Sequence, residues 1–577
     1  MISLGHVTVL GAGIDAFVTN VTDLDIAWIG GQPRLYAVTR PGIGGYAAFG
    51  IGAASGAATP IAQVSFGPAV GHLGTPALTV TGGANGGMIL PAGLSGAAQA
   101  TYALTASGGF GGVVSFAAGS GPADDLVAIE TLSINGQQYL LAARDGAAAP
   151  IVYSLSGSGS VTLAQTGGSA SAGAGIDALT SVVVEGAHYV IAASAAGERI
   201  TSHALSAAGG LSLADTVDST SGIGFSAPTG LATATVAGTA FVIAGAGVSS
   251  SLTVFRVLAG GELFAVDHVV DTLLTRFQGV TALETLMIGG RAYVFVGGGD
   301  DGITVLELLP DGRLIHRTTL ADTATTTLAD VTAIAAALTG TRAQVFVTSA
   351  SETGITQFDF GFGTAGQVIV APVGAALGGS GDDLLVAGAG TTALAGGAGD
   401  DVLVGGGAGG AALLTGGTGS DIFVLSPHAG TIHITDYQVG IDRLDLTSFP
   451  LLRGLGQMTA VMTATGAELR YQGTTIRIDS ITGSSIPISA FAETDLFGLL
   501  RFSPPAAVDY LPGTAGDDVL VASDLGTTLV GLGGNDDLRG GAGDDTIDGG
   551  SGNDRLFGGL GNDLIFGGVG FDTLDGG

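Results

Sequence analysis

The chain has 577 residues with 104 Gly, 17 Pro and a net charge of −32, and it contains no Cys and no Lys. This length allows two to four domains with cores of their own. An acidic chain without lysines disfavours phosphate backbones and anionic lipids as partners, so we expect no nucleic-acid binding and no membrane insertion. The lack of Cys excludes disulfides and thiolate metal sites, and a hydrophobic content of 46% disfavours disorder despite the glycines.

Two segments bear on membranes and export. The first residues, Met1 to His6, have neither the basic region nor the continuous apolar core of a cleaved signal peptide. The uncharged segment from Ser219 to Phe255 is interrupted by Gly, Ser, Thr and Pro every few positions, which disfavours a transmembrane helix. Any export of this chain is therefore expected to use a route without a cleaved N-terminal signal.

A unit of about fifty residues recurs from Met1 to about Val373. Each copy has four short alternating strands separated by small-residue turns, and an aromatic residue stands near the start of the second strand. The clearest of these aromatics are Tyr139, Tyr189, Phe241 and Tyr293. Four antiparallel strands per repeat of this length predict a β-propeller. We count seven blades, with six or eight as alternatives, and expect Ile2 to Val9 to close the ring against the last blade. The strand rhythm resembles that of the YVTN and lactonase-like propellers.

A nine-residue repeat, Gly-Gly-x-Gly-x-Asp-x-Leu/Ile-x, fills the end of the chain. It begins at Gly531, where Leu532 takes the second place, and continues through four strict copies. A looser copy begins at Gly513, and the next turn has Thr527 in place of the Asp. Three further copies lie at 378–386, 396–404 and 416–424. The strict recurrence of both Asp and Leu/Ile disfavours a flexible glycine-rich tail, the alternative suggested by composition alone.

The repeat pattern predicts metal binding. Glycine at positions one, two and four permits backbone conformations that turn carbonyl oxygens towards a cation, and the Asp at position six adds a hard oxygen ligand. The apolar residue at position eight is expected to stack as a minimal core. The candidate metal-ligating carboxylates are Asp383, Asp401, Asp421, Asp518, Asp536, Asp545, Asp554, Asp563 and Asp572. The candidate glycines are Gly540, Gly541, Gly543, Gly549, Gly550, Gly552, Gly558, Gly559 and Gly561.

These repeats resemble the RTX, or haemolysin-type, calcium-binding repeats over residues 378–424 and 513–577. The resemblance implies a parallel β-roll, several Ca²⁺ ions held between successive turns, and type I secretion machinery that delivers the chain to the extracellular space or cell surface. Residues 513–577 carry twelve Asp against two Arg, so repulsion is expected to keep this segment expanded until calcium binds. The chain stops at the opening of another repeat, which we interpret as truncation before a secretion signal.

Residues 425–511 resemble the β-rich cap that follows the repeats in serralysin-type proteins. Their Asp436, Asp442 and Asp445 are interpreted as solvated carboxylates rather than as cation ligands. No His is followed by Glu, so the H-E-x-x-H helix of the serralysin zinc proteases is missing. The predicted fold is all-β: a propeller over 1–373, a first RTX β-roll cluster over 374–424, the cap over 425–511 and a second cluster over 512–577.

The propeller segment carries no recognisable catalytic motif, since a chain without Lys and Cys has no Walker A loop and no thiol nucleophile. An acid precedes the first strand of three blades, at Asp125, Asp177 and Asp330. These carboxylates would face one channel mouth if the first strands line the axis, although a turn-forming role is the favoured interpretation. Two functions stay open: a secreted calcium-binding protein whose propeller binds or displays an unknown ligand, and a lactonase-like hydrolase with inward carboxylates or imidazoles at its axis.

Overall fold

A computed structural model shows a chain that is almost entirely β-structure. It describes residues 2–11, 16–40, 42, 44–52, 56–68, 70–95, 100–114, 125–155, 161–166, 175–407, 410–502, 504, 509–513, 516–522, 526–541 and 543–577. These residues fall into two compact units, 1–503 and 504–577. The described part of the chain contains no helix long and apolar enough to cross a membrane. Its helical segments are the 3-10 turns Ala16–Val18, Ser219–Ser221, Leu455–Gln457 and Ile488–Ala490, and α1 (Glu493–Leu496).

Seven antiparallel sheets form the blades of a β-propeller in the first unit, so the predicted fold and blade count are confirmed. Blade 1 consists of β2 (Val21–Ile29), β3 (Gln32–Thr39), β4 (Gly45–Gly50) and β5 (Thr59–Ser65), and blade 2 consists of β6 (Gly71–Thr81), β7 (Gly87–Ser95), β8 (Tyr102–Leu104) and β9 (Phe110–Val113). Blade 3 consists of β10 (Leu126–Ile134), β11 (Gln137–Arg144), β12 (Ile151–Leu155) and β13 (Val161–Thr166), and blade 4 consists of β14 (Ala178–Val184), β15 (Ala187–Ser194), β16 (Arg199–Leu205) and β17 (Leu211–Asp218). Blade 5 contains β18 (Pro228–Val236), β19 (Thr239–Ala246), β20 (Ser251–Val257) and β21 (Leu263–Val270). Blade 6 contains β22 (Ala282–Ile288), β23 (Arg291–Gly297), β24 (Gly302–Leu308) and β25 (Leu314–Ala321). Blade 7 contains β26 (Val331–Thr339), β27 (Arg342–Ser349) and β28 (Ile355–Gly361).

The N-terminal strand closes the ring. Strand β1 (Ser3–Leu10) pairs antiparallel with β28, with Leu4 opposite Phe360 and a bulge between His6 and Thr8. It supplies the fourth strand of blade 7 and covers the edge that β28 would otherwise expose. The closing role predicted for residues 2 to 9 is thus confirmed.

The first strand of each blade lines the propeller axis, because these strands contact one another around the ring. Threonine hydroxyls connect them across blade boundaries. Thr229 donates to the carbonyl of Val280 at 2.9 Å, Thr281 donates to Val331, and Thr332 donates to Val21 at 3.1 Å. Blades 5, 6 and 7 thus each make the same polar contact with the next blade, and the last of these contacts joins blade 7 to blade 1.

A parallel β-solenoid follows blade 7 within the same unit. The long strands β29 (Ala365–Leu377) and β30 (Asp382–Ala398) bend round both of its faces. On one face β30, β31 (Val402–Gly406), β33 (Ile422–Ser426) and β35 (Arg443–Asp445) pair in parallel; on the other, β30, β32 (Leu413–Thr418), β34 (Gly430–Tyr437) and β38 (Thr474–Ser480) do so. Strands β36 (Thr459–Met462) and β37 (Gly466–Tyr471) then extend the sheet in antiparallel fashion.

The chain finally returns to the propeller. Strand β39 (Leu500–Phe502) pairs with β21 as a fifth strand of blade 5. Its Arg501 is buried and forms an ion pair of 2.7 Å with the buried Asp267. Blade 5 is therefore held to the segment that follows the solenoid by both backbone and charge.

The second unit is a two-sheet parallel β-roll. One sheet contains β40 (Asp509–Pro512), β42 (Thr527–Val530), β44 (Thr546–Asp548) and β46 (Leu564–Phe566); the other contains β41 (Val519–Val521), β43 (Asp537–Gly541), β45 (Arg555–Gly559) and β47 (Thr573–Asp575). Two nonapeptides make one turn, so Leu538 pairs with Leu556. The fully buried core consists of Leu529, Leu538, Ile547 and Leu556, as the position-eight pattern predicts. Ile565 packs against this core, while Leu574 in the last turn is 48% exposed.

Candidate calcium sites and the propeller channel

Rows of aspartates run along the β-roll of the second unit. In each row, the Oδ1 atom of one Asp accepts a hydrogen bond from the backbone N–H of the row member one turn earlier. Asp536 N–H donates to Asp554 at 2.8 Å, and Asp545 N–H donates to Asp563 at 3.0 Å. One row contains Asp518, Asp536, Asp554 and Asp572; the other contains Thr527, Asp545 and Asp563. Thr527, which replaces the Asp, donates its N–H in the same way but brings no carboxylate.

The second carboxylate oxygen is buried and lacks a partner within the described part of the chain. This holds for the Oδ2 atoms of Asp401, Asp421, Asp536, Asp545, Asp554 and Asp563. A buried oxygen with a formal charge and no donor carries a large desolvation cost. A hard cation removes that cost, and oxygen-rich sites are what calcium takes.

The glycine at position one makes room for this oxygen. A Cβ on Gly540 would lie 2.3 Å from Asp545 Oδ2 and 2.4 Å from the carbonyl oxygen of Gly558 in the next turn. A Cβ on Gly531 would meet Asp536 Oδ2 at 2.2 Å and the Gly549 oxygen at 2.5 Å. A carboxylate and a carbonyl from successive turns thus face one small space that only a glycine leaves open.

The glycines at positions two and four have a different role. Gly550 and Gly552 have φ values of +89° and +142°, in the region that favours glycine. The position-one glycines do not share this conformation, so the prediction that all three positions need unusual backbone angles is wrong for the first of them. Leu532 occupies position two with φ +72°, which makes it a strained exception.

The position-two carbonyls already have partners between turns. The Gly541 oxygen accepts from Leu560 N–H at 2.8 Å, and the Gly550 oxygen accepts from Val569 N–H at 2.7 Å. The carbonyls of position one, such as that of Gly558, are the ones that face an Asp Oδ2. A role of Gly541, Gly543, Gly550, Gly552, Gly559 and Gly561 as direct metal ligands stays a prediction.

The first solenoid contains a row of aspartates joined by the same hydrogen bonds, and we call such a row an aspartate ladder. Asp383 N–H donates to Asp401 Oδ1 at 2.7 Å, Asp401 N–H to Asp421 at 3.0 Å, and Asp421 N–H to Asp442 at 3.1 Å. A Cβ on Gly396 would meet Asp401 Oδ2 at 2.1 Å, as in the second unit. Burial raises the pKa of Asp401 and of Asp421 to about 7, and the neighbouring carboxylates add to the increase.

The ladder extends into the segment assigned to the cap. Asp442 is 6% exposed and forms its fourth rung, and Asp445 is buried against Thr447. Asp436 accepts the N–H groups of Gly416 and Gly417 at 2.9 and 2.8 Å. The interpretation of these three as solvated carboxylates is therefore wrong. Asp442-Arg443-Leu444 repeats the order of Asp554-Arg555-Leu556, a signal hidden by the missing glycines.

The donor set fits calcium rather than zinc. No three His, Asp or Glu side chains in the described residues come together to hold a metal ion. Each strict nonapeptide supplies one row carboxylate, and its other candidate ligands are backbone oxygens. Zinc sites take several nitrogen or sulfur ligands, whereas calcium accepts carboxylate and carbonyl oxygens in flexible numbers. The ladder supplies ligands of the second kind from neighbouring turns.

Comparison with protein families agrees with this geometry. Residues 530–565 and 557–577 match the RTX calcium-binding nonapeptide repeat (4 copies). The chain carries RTX calcium-binding repeats. Residues 356–496, which include the solenoid of the first unit, match the peptidase M10 serralysin C terminal family. No curated protein matches the chain.

Solved structures resemble part of the chain. A putative 6-phosphogluconolactonase from Bacteroides uniformis matches 56% of this chain and 96% of its own at 14% identity and a TM-score of 0.40. A putative 6-phosphogluconolactonase from Bacteroides fragilis matches 62% of this chain and 93% of its own at 13% identity and a TM-score of 0.36. Similarity at this level supports no inference about activity.

Four carboxylates occur on inner strands of the propeller: Asp23 and Asp25 on β2, Glu130 on β10 and Glu284 on β22. Asp23 and Asp25 accept backbone N–H groups of the next blade, from Leu78 at 2.9 Å and Val80 at 2.7 Å. Glu130 and Glu284 have no hydrogen-bond partner among the described residues. Burial, and secondly the charge of Asp25, raises the pKa of Glu130 to about 8, and the pKa of Glu284 lies well above its usual range for the same reasons. These acids therefore influence one another across the axis.

The acids that precede the first strands, Asp125, Asp177 and Asp330, do not come together as the inner-strand acids do. Asp177 lines a cavity of about 570 Å³ at the channel mouth, and its Oδ2 accepts the N–H of Ala195 at 2.7 Å. Asp125 forms an ion pair with Arg144, and Asp330 does not line the cavity. The turn-forming interpretation fits Asp177 best. The channel acids had a signal of their own, since Glu130 and Glu284 both open a Glu-Thr-Leu triplet.

Replacing Gly540 with Ala is expected to weaken calcium binding by roughly 10- to 100-fold, because the new methyl group displaces Asp545 Oδ2 from the Gly558 carbonyl. Calorimetric titration of calcium into the full chain measures this. Gly576→Ala is the matched control, since Gly576 is a position-one glycine whose Cβ would meet no atom within 4 Å. Equal calcium affinity of the two variants would contradict the assigned role of the position-one glycine.

Replacing Glu130 with Gln is expected to stabilise the propeller in alkali but not in acid. Because the folded pKa of about 8 lies above the usual 4.5, the charged form destabilises the fold. That cost is absent below pH 4.5, grows as the pH rises and is complete above pH 8. Thermal unfolding at both extremes measures the effect, with exposed Glu185→Gln as control. A gain of equal size at both pH values would show that Glu130 acts through packing instead.

Proposed function

We propose that the protein is a secreted calcium-binding RTX protein whose β-roll folds when it meets extracellular calcium, and whose propeller binds or displays a ligand. The buried, unpartnered Oδ2 atom in successive turns is the observation that carries this proposal. Its position beside a carbonyl of the next turn means that one cation would join two turns. Metal binding and folding would then be a single event.

The negative charge of the C-terminal repeats supports the coupling of calcium binding to folding. Residues 513–577 hold twelve Asp and two Arg, and their fully buried core is only four aliphatic side chains. Burial of so few side chains offsets only part of the entropy cost of ordering dozens of residues. The roll therefore needs the energy of bound calcium, which a low-calcium cytosol withholds and the exterior supplies.

The same properties support secretion through a type I system. RTX repeats and serralysin-type C-terminal regions are typical of secreted proteins. A chain that stays expanded without calcium suits export in an unfolded state and folding outside the cell. The site of action would be the extracellular space or the cell surface, where the propeller is the largest available binding module.

The second candidate is a hydrolase with its site in the propeller channel. The channel acids Asp25, Glu130 and Glu284 favour it, because two carboxyl groups with raised pKa values are suited to proton transfer near neutral pH. Among the described residues, these acids do not form a group of three that could hold a metal ion. Hydrolysis of lactones or esters that falls at least about 100-fold in both Glu130→Gln and Glu284→Gln would support this candidate. Unchanged turnover in either variant would exclude it.

Asp536→Asn is expected to weaken the calcium-induced folding of the roll, because the amide removes the negative charge but keeps the shape of a 2% exposed side chain. The control is Asp537→Asn at the next position, whose side chain is 24% exposed and paired with Arg539. Hydrogen exchange of the full chain, followed by mass spectrometry during calcium titration, reports protection of residues 509–577 directly. Magnesium replaces calcium in a parallel series.

Cooperative protection at calcium levels of about 0.1 to 1 mM, shifted to higher calcium in Asp536→Asn alone, is the expected result. The proposal fails if the roll is equally protected without calcium. It also fails if magnesium acts as well as calcium, or if the two variants behave alike.

A further inference from the structure

The mouth of the propeller channel is a cavity of about 570 Å³, and residues of all seven blades line it. Three carboxylates belong to this lining, those of Asp23, Asp145 and Asp177. Among the described residues of the lining, none carries a positive charge. The mouth is therefore a negatively charged space, which attracts cations and repels phosphorylated or carboxylated ligands.

Threonine hydroxyls of the lining offer hydrogen-bond acceptors rather than donors. Thr229, Thr281 and Thr332 donate their protons to backbone carbonyls of the next blade, and Thr22 donates in the same way to Pro76 at 2.7 Å. A hydroxyl has one proton to donate and two lone pairs that accept. Because the proton is already used, each of these oxygen atoms can only accept a hydrogen bond from a ligand. Hydroxyls and carboxylates together therefore suit a ligand that donates hydrogen bonds.

A second layer of acids follows further along the inner strands. Asp25 comes two residues after Asp23 on β2, a separation of roughly 7 Å along a strand. Glu130 and Glu284 directly follow lining residues of β10 and β22, and neither has a hydrogen-bond partner within the described ranges. Burial, and then the charges of the other channel acids, raise the pKa of Glu284 well above its usual range. The acids of the two layers therefore share one confined space.

The spacing of these acids disfavours a single metal ion. No three acidic or histidine side chains of the described residues lie close enough together to hold one ion. A ligand whose positive charge is divided between two groups fits better, because each group can meet one layer of acids. An aliphatic diamine has this form. Each of its ammonium groups offers three donors and no acceptor, which complements a lining of acceptors.

We propose that the propeller channel binds an aliphatic diamine or polyamine, with one ammonium group at the mouth and the next at the deeper layer of acids. This inference rests on the proposed function of the propeller as a ligand-binding module, and it names the chemical class of the ligand. The ammonium groups would supply the positive charge that these carboxylates lack, which removes part of the cost of burying them. Binding would therefore stabilise the propeller as well as fill its channel.

The test titrates 1,4-diaminobutane into the full chain in saturating calcium and follows the heat of binding. Gly74→Lys places a competing ammonium group in the cavity lining, where a Cβ on Gly74 would meet no atom within 4 Å. Gly112→Lys is the matched control, since Gly112 is equally open but lies on β9, the outer strand of the same blade. Glu284→Gln removes one deeper charge, with the exposed Glu185→Gln as its control. Both members of each pair change the net charge equally, so general attraction of a cation to an acidic protein is the same in both.

Saturable binding at a single site, roughly tenfold or more weaker in Gly74→Lys and Glu284→Gln but not in their controls, is the expected result. The neutral 1,4-butanediol is expected not to bind. Equal affinities within each pair, or equal binding of the diol, would overturn the proposal. Hydrogen exchange of residues 509–577 in the same samples reports the calcium-induced folding of the roll separately. A protected roll without diamine binding to the wild type would contradict this inference alone, whereas a roll equally protected without calcium would contradict the calcium proposal alone.

Discussion

The architecture of both solenoids depends on a carboxylate that is only half satisfied by protein. One oxygen of each row Asp accepts a backbone N–H from the turn before it, and this bond fixes the side chain in the interior. In Asp401, Asp421, Asp536, Asp545, Asp554 and Asp563 the other oxygen has no donor in the described structure. Burial then keeps the unpartnered oxygen away from solvent. Each turn therefore presents a defined negative charge to its neighbour, and the sign and hardness of that charge select a cation such as calcium.

The two solenoids meet this constraint with different support. The first packs its interior into a cluster of two dozen buried side chains that includes Phe423, Tyr437 and Phe491, and it docks on the propeller through Arg291, which donates to the Asp382 carbonyl. The second has four fully buried core residues and a large excess of acid. Apolar burial can hold the first together in part without metal, whereas the second has little else besides cation binding. Dependence on calcium is therefore concentrated at the C-terminal end of the chain.

Much of this could be predicted from sequence, because the structure repeats and the repeats are visible. The aromatics Tyr139, Tyr189, Phe241 and Tyr293 mark the second strand of four blades, and each is buried there. Ala343 takes the same place in blade 7 without changing the strand. Strand spacing survives such replacements since the hydrogen bonds of a blade are made by backbone. The packing of the position-eight residues was predictable because Leu or Ile recurs at that position in successive nonapeptides.

Side chains that meet only in three dimensions were not predictable. Asp25, Glu130 and Glu284 belong to blades 1, 3 and 6, and the Glu-Thr-Leu triplet shared by the two glutamates does not by itself place them at the propeller axis. Arg317 and Arg443 come from modules whose docking no local pattern encodes. At the axis, burial raises the pKa of Glu130 and of Glu284. At the junction, Arg317 lies against the buried Glu307. The repeats determine the path of the backbone. The charged side chains at the propeller axis and at the junction between the modules are determined by the few positions at which the repeats differ. Those positions are where this protein departs from a generic propeller and a generic β-roll, and they are the places where its individual chemistry is to be sought.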